Sequence, residues 1–362
     1  MTSLVVNDIT IGFYPDEGDA GGRKSYLSDL NSALASSSSS SGNTPPFAIN
    51  VVGWYAQTYP HETFDGFQLM PLVDDLKREF DRCDRRANLI YEASVMPFQS
   101  WQGYTPDNDV KAKEVAQVMQ NMLDRSRVGE DANAEFAIAE IRLRFGHEVN
   151  YYIKSGLYPP PTNTADPGWD YRAAFDQVAI ACRALPPQYA SRIKMFWCPN
   201  IASTSSGADA EYKTFLPTLH HIDYVGIDYY CPAPGCLDPS DFVRKMKKVH
   251  DRYASAERPF ILGETGLHFD VEQGVDLQQV RLRWLDVVTG REAKKGLKWM
   301  TGVSWFNYEK DRDYRVVDLD TGERNAAIIE WLQQRVSVAK SNVDGGGAKA
   351  KVKGFWKTLL AK

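Results

Sequence analysis

Short apolar runs alternate along this chain with longer stretches in which apolar residues recur every three to four positions, and the pair repeats eight times. The runs that read as strands are TIGFY (Thr10 to Tyr14), AINVVGWYA (Ala48 to Ala56), ANLIYEASV (Ala87 to Val95), FAIAEIRLRF (Phe136 to Phe145), IKMFWCP (Ile193 to Pro199), YVGIDYY (Tyr224 to Tyr230), FILGET (Phe260 to Thr265) and TGVSWFNY (Thr301 to Tyr308). Most are apolar throughout, as strands covered on both faces must be. Between them, segments such as PLVDDLKREFDRC, KAKEVAQVMQNMLDRS, YRAAFDQVAIACRAL, PSDFVRKMKKVHDRYA and VRLRWLDVVTG have the spacing of amphipathic helices. Eight strand-helix repeats, with no glycine fingerprint after the first strand, predict an α/β fold of the (β/α)8 TIM-barrel type in preference to an open doubly wound sheet.

Residues 1–340 are expected to form that one barrel domain. Two segments fall outside the repeat. The serine run Ser36 to Gly42, within a predicted disordered insertion at 36–46, follows the first helix, and residues 341–362 read as a glycine hinge with a basic, flexible tail. Hydrophobic residues make up 43% and charged residues 25% of the chain, which suits a globular protein with a sizeable core.

A net charge of −5 argues against nucleic acid as a partner and leaves a neutral ligand as the better match. No apolar run reaches the ~20 residues of a membrane span, and MTSLVVNDIT lacks the features of a signal peptide, so a cytoplasmic chain is expected. The five cysteines do not suggest a disulfide framework, although Cys231 and Cys236 are spaced to close a small loop. Six scattered histidines give no metal-binding spacing, and GDAGGRKS (Gly18 to Ser25) misses the phosphate-loop spacing; neither a metal nor a cofactor is expected.

In these barrels the chemistry sits at the C-terminal ends of the strands. Polar residues collect there: Arg144-Phe145-Gly146-His147-Glu148-Val149-Asn150 after strand four, Asp228-Tyr229-Tyr230 after strand six, Gly263-Glu264-Thr265 after strand seven and Trp305-Phe306-Asn307-Tyr308 after strand eight. A strand period of two aligns Arg142, Arg144, Gly146 and Glu148 on one face, and Phe260, Leu262 and Glu264 on another, so both glutamates are predicted to point into one mouth. That arrangement permits the separation of about 5–5.5 Å used by retaining glycosidases. One carboxylate would stay ionised beside Arg144 while the other kept a proton in an aromatic shell.

These residues resemble glycoside hydrolase family 26 over about residues 8 to 335. RFGHEVN is similar to the family's Arg-x-x-His-Glu-x-Asn, which implies that Glu148 is the acid/base, supported by Arg144, His147 and Asn150 in the substrate site. ILGETG implies that Glu264 is the nucleophile. YVGIDYY places Tyr230, with Tyr229 before it, beside the nucleophile; WCPN brings in Trp197; SWFNYEKDRDYRV makes Trp305 a sugar platform. Where the family has a Trp-rich loop after its His-Glu-x-Asn motif, this chain reads YYIKSGLYPPP.

The resemblance implies a monomeric retaining hydrolase of β-linked polysaccharide, foremost an endo-β-1,4-mannanase, with β-1,3-1,4-glucanase or β-1,3-xylanase as alternatives. Family members are typically exported, which sets a secreted enzyme against the cytoplasmic expectation. A non-catalytic carbohydrate-binding barrel is the alternative of another class, and the presence of both glutamates opposes it.

Overall fold

The computed structural model describes residues 2–38, 47–83, 85, 87–129 and 135–335. All eight predicted strands form: β1 (Ile9–Pro15), β2 (Val51–Thr58), β3 (Leu89–Pro97), β4 (Ile138–Phe145), β5 (Ile193–Trp197), β6 (Tyr224–Asp228), β7 (Phe260–Thr265) and β8 (Met300–Asn307). Each runs parallel to its neighbour in chain order, and β8 pairs with β1 from Gly302 on Thr10 to Asn307 on Pro15, which closes the barrel.

The covering helices are α1 (Leu27–Ser38), α2 (Met70–Arg82), α3 (Val110–Arg125), α4 (Trp169–Arg183), α5 (Ala208–Thr214), α6 (Pro239–Tyr253), α7 (Leu277–Thr289) and α8 (Gly322–Arg335). Their start signals are local. Asp238 accepts from the backbone N–H of Ser240 ahead of Pro239, and Asp276 caps α7 through Gln278 and Gln279. Phe242, Met246, Val249 and Tyr253 then give α6 the buried stripe that its spacing predicts. None of the described helices is long and apolar enough to cross a membrane.

The serine run begins inside α1, whose last residues are Ser36 to Ser38; the rest of the 36–46 insertion and the whole 341–362 tail lie outside the described residues. Cys231 and Cys236 are both free thiols.

Strand parity determines which side chains enter the barrel. Ser304 of β8 donates to Glu92 of β3 across the interior at 2.6 Å, and Arg142 of β4 reaches the other oxygen of Glu92 at 3.0 Å. These contacts fix Ser304 and Phe306 as inward positions on β8, while Val303, Trp305 and Asn307 face the helices. On β5 the inward residue is Phe196, which clusters with Cys198 just beyond the strand and with Ile261.

Candidate active site

An open cleft of about 940 Å³ occupies the C-terminal mouth of the barrel, with Glu148 and Glu264 both in its wall. The chain brings each carboxyl there by a departure from regular strand geometry. Strand β4 stops at Phe145, and a turn through Gly146 (φ +60°) and Glu148 (φ 52°) leads into the short helix Val149–Ser155. A side chain at Gly146 would press on the ring of Tyr171 at 2.7 Å, so glycine is required there for space as well as for backbone angle. Glu148, a non-glycine residue in the left-handed region, is held by its N–H to Cys198 O at 2.8 Å.

Glu264 does not follow a simple period of two. Ile261 and Gly263 of β7 point inward, Gly263 lying against Cys198 and Asp228, whereas Phe260 packs on His250 of α6. Register slips between β7 and both its neighbours then turn Glu264 into the cleft as well, with Thr265 facing Trp284 of α7. The predicted face of Phe260, Leu262 and Glu264 is therefore corrected, as is the continuation of the Arg142-Arg144 face to Glu148.

Arg144 is fully buried under the cleft and joins its acids. Its guanidinium donates to Glu264 Oε1 at 2.8 Å, to Asp228 Oδ2 at 2.5 Å, to Tyr14 Oη at 2.7 Å and to Ser94 Oγ at 3.2 Å. Tyr230 donates to Glu264 Oε2 at 3.0 Å. Burial alone would raise the pKa of Glu264, but the charge and hydrogen bond of Arg144 outweigh it and hold the carboxyl below its ordinary range.

Glu148 goes the other way. Burial, reinforced by the charge of Glu264, pushes its pKa up to about 7 against the hydrogen bond of 2.5 Å that its Oε1 accepts from Asn200 Nδ2. Burial and the neighbouring Arg144 lower His147 to about 3, so the imidazole that lies 3.8 Å from Glu264 is neutral.

Among the described residues, His147, Asp228 and Glu264 form the one group of three ligating side chains close enough to hold a metal. Arg144 already pairs with both of those carboxyls, and its charge opposes a cation there. The chemistry offered is that of two carboxyls in unequal states.

The structure gathers Glu148, Glu264, His147, Tyr229 and Tyr230 around the cleft and moves the other predicted residues off its surface. Arg144 lies beneath Glu264, outside the cleft lining. Asn150 is turned toward Asn200 and Glu211. Tyr229 stays in the cleft lining, with its ring meeting Trp284 edge-on and its hydroxyl accepting from Lys245 at 2.6 Å. Trp197 and Trp305 are fully buried on the helix-facing side, Trp197 against Tyr253 and Trp305 through a 2.8 Å bond to Tyr314 O. Both tryptophans have the outward parity of their strands, so neither can be a sugar platform.

The ring that β8 does present is Phe306, stacked on Tyr308 at 4.1 Å. Trp305→Ala is accordingly expected to lose about 3–5 kcal/mol of stability by leaving a core cavity. Chemical denaturation checks this; a variant of wild-type stability would place the indole outside the core.

Several residues of the site escaped the sequence reading. Tyr14 and Tyr55 share inward parity with Gly12 and Gly53, so alternation counted along every strand would have found them; Asp228, noted at the end of strand six but given no role, shares its parity with Gly226. Glu17 follows β1, accepting from Tyr55 N–H at 3.1 Å and Tyr308 O–H at 3.0 Å; with Asp19 it brings the GDAGGRKS loop to the cleft edge.

No family model matches the chain, and no curated protein matches it in sequence. Solved structures do. A mannanase of Bacillus subtilis is 12% identical, aligned over 96% of this chain and 92% of its own, with a TM-score of 0.52. A family 26 β-mannanase of Bacteroides ovatus is 14% identical over 89% of this chain and 88% of its own, with a TM-score of 0.53. A fungal β-1,4-galactanase is 13% identical over 88% of this chain and 98% of its own, again with a TM-score of 0.53. The protein shares the fold of these (β/α)8 barrels. At such identities the likeness shows the barrel fold.

Proposed function

We propose that the protein is a retaining glycoside hydrolase that cleaves a β-linked polysaccharide, with Glu264 as nucleophile and Glu148 as acid/base. The observation that carries this reading is the opposite perturbation of two carboxyls in one cleft: Arg144 keeps Glu264 ionised, while burial keeps a proton on Glu148 up to about pH 7. Carboxylate oxygen of Glu264 attacks the anomeric carbon as the glycosidic C–O bond breaks, and the proton of Glu148 passes to the leaving oxygen. Glu148, now a carboxylate, then takes a proton from water as that water displaces Glu264 from the sugar. Tyr230 and Arg144 hold the attacking carboxylate in place throughout.

Besides the two carboxyls the open cleft of about 940 Å³ is lined by Tyr151, Leu157, residues 200–205, Glu17, Tyr308 and His268, a size that supports binding of several sugar units of a polymer. Mannanases among the structural neighbours and the RFGHEVN segment favour β-1,4-mannan as the substrate. Mixed-linkage β-glucan and β-1,3-xylan are the alternatives.

Proton NMR of the first sugar released from a panel of mannan, glucomannan, lichenan and xylans tests the reading. A β-anomer is expected, and an α-anomer rules out double displacement. Sugar binding without turnover on any of the panel would instead identify a carbohydrate-binding barrel.

A further inference from the structure

Beside the cleft, on the side of Glu148, a chain of hydrogen bonds runs outward to α5. Asn200 Nδ2 donates to Glu148 Oε1 at 2.5 Å. The backbone of Asn200 is gripped on both sides by Asn150, whose Oδ1 accepts from Asn200 N–H at 2.8 Å and whose Nδ2 donates to Asn200 O at 3.0 Å. The second hydrogen of Asn150 Nδ2 goes to Glu211 Oε1 at 2.6 Å. Glu211 itself is tied by Lys154 Nζ at 3.1 Å and Ser203 N–H at 3.3 Å. It lies outside the cleft lining, on a seven-residue helix.

We propose that Glu211 is a positioning residue for the acid/base Glu148, acting through Asn150 and Asn200. The proposal rests on the role given to Glu148 above. A carboxylate can only accept hydrogen bonds, so Glu211 and the Asn200 carbonyl together require the nitrogen of the Asn150 amide at their end and its oxygen toward Asn200 N–H. That one orientation fixes the Asn200 backbone and with it the direction of Nδ2. Oε1 of Glu148 then receives a hydrogen bond from a fixed direction, which favours the anion left behind when the proton is transferred. Glu211 stays ionised: burial raises its pKa, but the bonds from Asn150 and Lys154 outweigh burial and bring it below the usual range.

The test compares Glu211→Ala with Glu148→Ala on paired 2,4-dinitrophenyl and phenyl β-glycosides of mannobiose, cellobiose and galactobiose. A dinitrophenolate leaves without protonation; a phenolate needs the acid. Glu211→Ala should lose about tenfold in kcat/KM on the phenyl substrate and stay within about twofold of wild type on the activated one. Glu211→Gln, which keeps a carbonyl acceptor for Asn150, should recover most of the loss.

Equal losses for Glu148→Ala on both substrates would sink the role of Glu148 itself; a split for Glu148→Ala without one for Glu211→Ala would sink only the present proposal. A readout independent of turnover is the titration of the Glu148 carboxyl by NMR of carboxyl-labelled glutamate, identified by its absence in Glu148→Gln. Loosening Asn200 removes a donor to the anion, so the Glu148 pKa should move up in Glu211→Ala, and an unmoved titration in the folded variant overturns the assignment. Should Glu211→Ala fail to fold, Glu211→Met, which keeps the volume and removes the acceptor, serves in both measurements.

Discussion

Glu264→Ala is expected to lower turnover of polysaccharide by several orders of magnitude and to abolish formation of a covalent glycosyl-enzyme. The reason lies in what surrounds the carboxylate. Arg144 and Tyr230 take its two oxygens at 2.8 and 3.0 Å, so it is presented as an anion of fixed orientation, and no second side chain can occupy that place when it is truncated. Glu148 cannot substitute, because burial keeps it largely protonated below pH 7 and the left-handed turn holds it elsewhere in the wall. Incubation with an activated 2-deoxy-2-fluoroglycoside, followed by peptide mass spectrometry, should find the sugar on the Glu264 peptide of the wild type and none on the variant. A label on another residue, or near wild-type turnover in Glu264→Ala, would refute the assignment.

The second large effect belongs to Arg144, which never touches the cleft. Arg144→Met is expected to cost about 3–5 kcal/mol of stability at neutral pH, because it leaves the buried carboxylate of Glu264 without its counter-charge and Asp228, whose pKa burial raises well above the ordinary value even beside Arg144, without its guanidinium donor. The sign with pH follows from the direction of the Glu264 shift. Its folded-state pKa is depressed by Arg144, so its contribution to wild-type stability is present above the unfolded value and is lost as pH falls through the folded one. Without Arg144 burial acts unopposed, the folded pKa rises above the unfolded one, and the variant regains ground as the carboxyls take up protons. Urea unfolding should therefore show a wide gap between wild type and variant at pH 7.5 and a narrower one at pH 4.5. A gap of equal size at both would mean that Arg144 acts by packing alone. Activity should fall as well, since Glu264 would lose both its charge partner and its orientation.

The roles of these two residues were legible to different degrees. Arg144 and Glu264 both stand at strand ends in the sequence, and the pairing of an arginine with one of two carboxylates is the expected use of such an arrangement. That Arg144 also holds Asp228 and Tyr14 depends on where four strands meet, since these residues come from β4, β7, β6 and β1. Trp305 shows the opposite case. Its place in the segment SWFNY suggested a platform, yet the neighbour with the cleft-facing parity is Phe306, because Ser304 is pinned inward by Glu92.

What the sequence by itself determined is the set of local elements and their order. Apolar runs too short for helices, separated by three-to-four spacing, can satisfy their backbone and bury their faces only as parallel strands under helices, and the eight repeats leave a closed barrel as the economical arrangement. It also determined the height of the two glutamates, which follows from their position at strand ends. Tertiary structure decided the rest: which way each side chain points after a strand ends or slips register, and which carboxyl is ionised. A left-handed turn at Glu148 and a slip at Glu264 each reset the parity that alternation would assign, and neither is a property of the nearby sequence alone. The protonation states depend on burial and on a guanidinium brought from another strand, and both exist only once the barrel has closed.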